Sequence, residues 1–385
     1  MKAWRRAGAV LAVLVTLVGA RAVFGQAQRK AAVADTLPSR LTDEQFWRLI
    51  TDFSEPNGSF RSENLVSNEH TFQYVIPALK KAVPPGGVYM GVAPDQNFTY
   101  IVATQPKMAF IVDIRRGNLL QLMMYKALVE LSVDRAEFVS RLFSKKRPLG
   151  LGPASRVAEI FVAYDKVPRS DEMYKQNVKA IRDHLLVRHG FPLSPDDVAN
   201  LEAICFAFFW DGPNIRYSTT PTGFGGGRGS NATFPTYEDL MMQTDWEGVA
   251  RGYLANEENF RYLKNLEERN LLVPIVGNFA GAKAIRAIGN YIREHNSTVS
   301  AFYVSNVEQY LFQDGIWSDF ARNVATLPLD GTSTFIRSVS NRNGYSGPYL
   351  WIDGRASALD PMRAFVKDFQ SGRVRTYQDV NARSK

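Results

Sequence analysis

The sequence predicts an α/β protein, with a mostly parallel sheet, helices on both faces and a helical insertion. Short apolar runs of strand length recur at 88–92, 108–113, 271–276 and 299–304, with helical periodicity between them and turn residues at their ends. Composition agrees: 385 residues, 45% of them apolar and 22% charged with a single Cys, exclude a disordered chain, a disulfide scaffold and a polytopic membrane protein. At roughly 100–200 residues per domain the length admits two or three domains, or one large α/β domain with an insertion; the reading adopted is one domain over residues 28–385.

Residues 1–27 read as a secretory signal peptide. Lys2, Arg5 and Arg6 precede an apolar run from Ala7 to Ala20, and Ala20, Ala22, Gly25 and Ala27 supply small residues for cleavage. The run is shorter than the roughly 20 residues of a membrane span, so a retained anchor is the weaker reading, and Arg5-Arg6 leaves open a twin-arginine signal. Export to the periplasm or the extracellular space follows, with membrane contact only through an uncleaved leader. Cleavage after Ala27 removes four of the 46 basic residues and none of the 38 acidic ones, which lowers the net charge from +8 to +4. No basic face with interleaved aromatics remains to suggest nucleic-acid binding. Cys205, in the apolar stretch 203–210, reads as a small buried hydrophobe.

After a polar linker at 28–38, a helix is expected over Thr42–Phe53, opened by the capping-box pattern Thr42-Asp43-Glu44-Gln45. A second helix is expected over Asn68–Lys81, stopped by Pro84-Pro85-Gly86-Gly87. The strand Val88–Val92 follows, then a helix through Phe98–Thr104 and the strand Met108–Asp113, which completes a βαβ unit. Leu119–Phe143 is helical in pattern, and 119–210 reads as a largely helical insertion. The stretch 219–235 holds Gly223, Gly225, Gly226, Gly227 and Gly229 and fits either a lid or a plain connection; it matches neither a phosphate-binding P-loop nor G-x-G-x-x-G. Alternation then resumes: helix Glu257–Arg269, strand Leu271–Val276, helix Ala282–His295, strand Val299–Val304, and further strands at Ser333–Ser338 and Tyr349–Ile352.

Ligands of parallel sheets bind beyond the carboxyl ends of the strands, near the topological switch point. Polar residues that a buried strand does not need occur at those ends: Asp95, Gln96 and Asn97 after the first strand, Asp113 after the second, Asn278 after the third and Asn306 after the fourth. Gly91 would allow a nucleoside-type or other small polar ligand to approach the backbone. Asp113 lies 22 positions beyond it, close to the roughly 20 at which a ribose-binding acid is expected. Asp113 could equally cap a helix or pair with Arg115 or Arg116.

The segments Gly87–Asn118 and Pro274–Phe312 resemble an uncharacterised bacterial family whose core is similar to the Rossmann-like S-adenosylmethionine-dependent methyltransferases. The resemblance implies a Rossmann-like fold and S-adenosylmethionine as cofactor. It places Gly91 at the glycine-loop position and makes Asp113 the ribose-binding acid, while Asn306 with Val307-Glu308-Gln309-Tyr310 forms the segment after the fourth strand. Ala93-Pro94-Asp95 stands where that loop normally carries further glycines.

Other chemistries have less support. The four histidines, His70, His184, His189 and His295, form no H-E-x-x-H, and five-residue spacing keeps His184 and His189 off a common α-helical face, so no metal site is expected. No G-x-S-x-G elbow occurs. Glu69-His70 could act as an acid/base pair, or Glu69 could simply favour the positive end of a helix. Two functions remain: a methyltransferase-like protein that binds a small polar ligand through Asp113, Asn97 and Asn306, or a non-catalytic envelope protein that binds a partner through the same cleft or the 223–229 loop.

Overall fold

The computed structural model describes residues 35–218, 234–340 and 354–384. The expected leader, nearly all of the Gly-rich stretch and the expected strand at 349–352 lie outside the described residues.

Among the described residues six strands form one sheet: β1 (Val88–Gly91), β2 (Met108–Asp113), β3 (Leu272–Val276), β4 (Val299–Ser305), β5 (Thr334–Ser340) and β6 (Arg355–Pro361). Their order is β3-β2-β1-β4-β5-β6, parallel from β3 to β5, with β6 antiparallel on the edge. The chain lays β2 and β3 on one side of β1, then crosses to place β4 on the other, so the topological switch falls between β1 and β4. All of β1, β2 and β3 is buried. Both faces of these strands are covered, which is why they read as continuous apolar runs. Each fully buried Val, Ile, Leu or Phe adds roughly 1.5–3 kcal/mol to the core.

The described helices are α1 (Asp43–Phe53), α2 (Ile76–Ala82), α3 (Gln96–Thr104), α4 (Arg116–Leu131), α5 (Arg135–Phe143), α6 (Val157–Asp165), α7 (Asp171–Asp183), α8 (Pro195–Asp211), α9 (Tyr237–Met242), α10 (Glu257–Glu268), α11 (Ala284–Glu294), α12 (Val307–Gln313), α13 (Trp317–Ala325), α14 (Met362–Gln370) and α15 (Tyr377–Arg383). Among the described residues the crossover from β2 to β3 holds only helices, α4 to α10 and two short helical turns. None of the described helices is long and apolar enough to cross a membrane. The capping box of α1 forms as read, with Thr42 Oγ1 accepting from Gln45 N–H and the Gln45 side chain accepting from Thr42 N–H.

Three expectations need correction. The helix expected over Asn68–Lys81 exists only as α2, because Pro77 is tolerated in a first turn and not further in; residues 70–75 are turns, so Glu69 is not at a helix N-terminus. The long helix expected over Leu119–Phe143 breaks at Ser132, and Asp134 starts α5 afresh by accepting from Glu137 N–H at 2.8 Å. Finally, α7 continues into a π-helical turn, His184–Arg188, in which His189 N–H bonds to the His184 carbonyl five residues back. That wider turn brings the two imidazoles together, with ring centroids 4.8 Å apart.

Candidate functional site

A cleft of about 200 Å³ opens at the carboxyl ends of β1 to β4. Val92 and Pro94 line it from the end of β1, Asp113 and Arg115 from β2, Asn278 from β3, and Tyr303, Ser305 and Asn306 from β4. Glu69 enters from the turn before α2, and Phe60, Tyr217 and Tyr310 supply aromatic wall.

Glu69 is buried and forms the polar floor. Its Oε1 accepts from Tyr303 OH at 2.8 Å and Ser305 Oγ at 2.6 Å, and its Oε2 accepts from Gln96 Nε2 at 2.9 Å. Tyr303 and Ser305 are two apart on β4, the spacing that puts strand side chains on one face. Gln96 is in turn fixed by Ser67, whose hydroxyl donates to Gln96 Oε1, and its Nε2 also donates to Tyr100 OH at 3.0 Å. All of these donors are neutral, and among the described residues no cation lies within salt-bridge distance of Glu69, although Arg115 and Arg355 line the same cleft. A buried carboxylate held this way can accept a hydroxyl or ammonium donor from a ligand.

The backbone is strained on both sides of the switch. Ala93, beyond β1, has φ 67° and Ser305, ending β4, has φ 50°. Non-glycine residues in that region cost of order 1–3 kcal/mol and cluster where geometry serves a ligand.

Of the residues chosen from the sequence, Gln96, Asp113, Asn278 and Asn306 line the cleft. Asp113 does so with its acceptors largely committed: Oδ1 takes Arg115 N–H at 2.9 Å and Nε at 3.1 Å, and Oδ2 takes Nη2 at 3.1 Å. Arg115 is itself anchored to the carbonyls of Ser62 and Glu63. The alternative pairing foreseen for Asp113, with Arg115, is the one formed.

The other three residues turn away from the cleft. Asn97 shares its amide protons among the carbonyls of Val92 (2.8 Å), Ala93 (3.0 Å) and Pro94 (2.6 Å) and accepts from Tyr89 OH at 2.9 Å, so it staples the loop after β1. Gly91 is glycine because a Cβ would overlap Asn97 Oδ1. Asp95 points into a buried aromatic cluster, where Tyr253 OH donates to Oδ2 at 3.3 Å and Oδ1 has no partner. Burial pushes its pKa up to about 7. At β3, the N-terminus of α11 is filled by Glu55, which accepts from Lys283 N–H at 2.8 Å, Ala284 N–H at 3.1 Å and Asn278 N–H at 2.9 Å. A ligand phosphate would have to displace that carboxylate.

Sequence reasoning weighed Glu69 as a partner of His70 or as a helix N-terminal acid, but its side-chain partners are at 96, 303 and 305. A lone acid in a polar stretch gives no sign of such contacts. Residues 64–151 and 228–367 match a family described as a domain of unknown function, DUF7790. The chain belongs to that family. No curated protein matches the sequence. The segments matched to DUF7790 contain Glu69, Gln96, Asp113, Asn278, Ser305 and Asn306, so the cleft floor and the strand ends around it lie within the DUF7790 domain.

Proposed function

We propose that the cleft binds a small polar, ring-bearing ligand of nucleoside type, on a Rossmann-like sheet related to that of the methyltransferases. The strand order β3-β2-β1-β4-β5-β6 is the order in which such sheets bind nucleotides at the switch between the first and fourth strands. The observation that carries the reading is Glu69, a buried carboxylate facing the cleft at that switch with neutral donors only. Aromatic walls from Phe60, Tyr217 and Tyr310 suit a planar ring, and Asn278 and Asn306 add amide groups at the rim.

S-adenosylmethionine, the cofactor implied by the resemblance, meets a poor fit. A ribose would have to share the acid after the second strand with Arg115, which already donates three hydrogen bonds to Asp113. The glycine loop is replaced by a turn that Asn97 locks from inside. Glu69, and not Asp113, has the anchoring role in this reading.

The test is calorimetric titration of the folded protein with adenosine, S-adenosylhomocysteine and S-adenosylmethionine, alongside Glu69→Gln and Asp113→Asn. A hydrogen bond to a charged group contributes about 1.5–3 kcal/mol, so Glu69→Gln is expected to weaken binding roughly 10- to 100-fold. Asp113→Asn is expected to change it less. If none of the three compounds binds the unsubstituted protein, the proposal is wrong.

A further inference from the structure

A second cluster of donor atoms lies at the other end of α4, about 20 Å along the helix from the cleft at 1.5 Å per residue. Glu130, in the last turn of α4, places Oε2 2.6 Å from His184 Nε2 and 2.8 Å from His189 Nε2. One ligand atom from each of the three residues lies within 4.8 Å of the other two. The π-helical turn makes this possible: five residues advance an α-helix by a full turn and about 140° more, whereas the wider turn brings residues 184 and 189 back to one face. Such turns are rare, and they are found disproportionately at functional sites.

His189 is held by carboxylates on both sides of its ring. Its Nδ1 is 2.7 Å from Asp43 Oδ1, an oxygen that also accepts from Asn270 Nδ2 at 2.9 Å. A neutral imidazole has one N–H. Once Nδ1 gives it to Asp43, the Nε2 lone pair faces a carboxylate oxygen at 2.8 Å. His184 brings a second imidazole nitrogen against the same oxygen, so donor atoms of three residues converge on a point that one metal ion can occupy.

We propose that Glu130, His184 and His189 bind a divalent ion of zinc type, with Asp43 orienting His189 from behind. Two imidazoles and a carboxylate are a donor set zinc accepts, and an imidazole backed by a carboxylate is its usual outer support. Lys126 Nζ holds Glu130 Oε1 at 2.6 Å, so the carboxylate binds through Oε2 alone and water completes the tetrahedron. Ligand atoms about 2.0–2.1 Å from zinc are roughly 3.3 Å apart, so the two contacts from Glu130 to the imidazoles lengthen by about 0.5–0.7 Å on binding. The ion joins α1, α4 and the π-helical turn, and its role is structural.

The test uses the full chain, stripped with a chelator and titrated with Zn²⁺ by calorimetry and with Co²⁺ by visible absorption. One ion per chain is expected, with a rise in melting temperature. His184→Gln is expected to weaken zinc binding by more than about 100-fold, and Asp43→Asn by about 10- to 100-fold, the range for an outer-shell partner. Failure of the folded, unsubstituted chain to take up one zinc overturns the proposal, whatever the variants do. Equal zinc affinity in folded His184→Gln overturns it as well.

Discussion

Replacing Gly91 by Ala tests whether the loop after β1 is closed by the protein itself or left open for a ligand. The new Cβ would overlap Asn97 Oδ1 and stand 2.9 Å from Tyr89 Cε1 and 3.0 Å from Asn97 Cγ, where carbon contacts want at least about 3.5 Å. Asn97 must swing away, and its bonds to the carbonyls of Val92, Ala93 and Pro94 and from Tyr89 OH are lost in a fully buried setting. Four such bonds at about 0.5–1.5 kcal/mol each put the loss at roughly 2–6 kcal/mol. Asn97→Ala breaks the same bonds and is expected to cost a similar amount. The double variant then costs about as much as either single one, a coupling equal to one whole single loss, roughly 2–6 kcal/mol. Urea unfolding measures this as midpoints shifted at constant slope. Additive losses would refute the reasoning. So would a Gly91→Ala protein of unchanged stability that had lost ligand binding, because glycine would then be serving the ligand and not Asn97.

Two further predictions concern buried charge. Burial raises Asp95 from 3.8 to about 7, so the folded protein holds its proton more tightly than the unfolded chain does. Stability therefore falls as pH rises from about 4 to about 7 and levels off above, by up to about 4 kcal/mol from this group. Asp95→Asn is expected to remove that slope: its stability relative to the parent, from urea midpoints, should be clearly higher at pH 8 than at pH 5, and an equal difference at both would count against the assignment. Arg337 is buried between Glu308 and Asp360, with Nη1 2.8 Å from Asp360 Oδ2. Arg337→Met leaves Glu308 to Trp317 and Asp360 to Arg383 in a buried setting and is expected to cost up to about 3–5 kcal/mol in the same assay, whereas breaking the exposed Arg156–Glu159 pair should leave the urea midpoint nearly unchanged. A small loss at Arg337 would show that water reaches those acids.

The parallel strands were legible because burial on both faces leaves an unbroken apolar run, and Met108–Asp113 is found with the ends read for it. The edge strand β6 was not: Arg355–Pro361 alternates half-buried and buried residues and includes two charges, one of which, Asp360, is satisfied by Arg337 from the neighbouring strand. In the cleft, the strand-end rule brought Gln96, Asp113, Asn278 and Asn306 to one place. It could not sort Asp95, Gln96 and Asn97 from one another. Successive residues entering a helix point about 100° apart, so three in a row cannot all face one cavity; the structure gives Gln96 to the cleft, Asn97 to the loop and Asp95 to the tyrosine cluster.

The histidines show the opposite failure, in which the spacing was informative and was read through the wrong helix. Dismissing residues 184 and 189 assumed 3.6 residues per turn, and for that geometry the dismissal is sound. A π-helical turn forms only where something offsets its poorer packing, and here two imidazoles meet one carboxylate oxygen across it. Five-residue spacing between two histidines in a helical segment, with an acid on a facing helix, is thus a pattern in its own right. In this chain the acid is Glu130, 54 positions before His184. Only the packing of α4 against α7 and the π-helical turn brings it within reach, which is why the histidine pair could be seen in the sequence and its acidic partner could not.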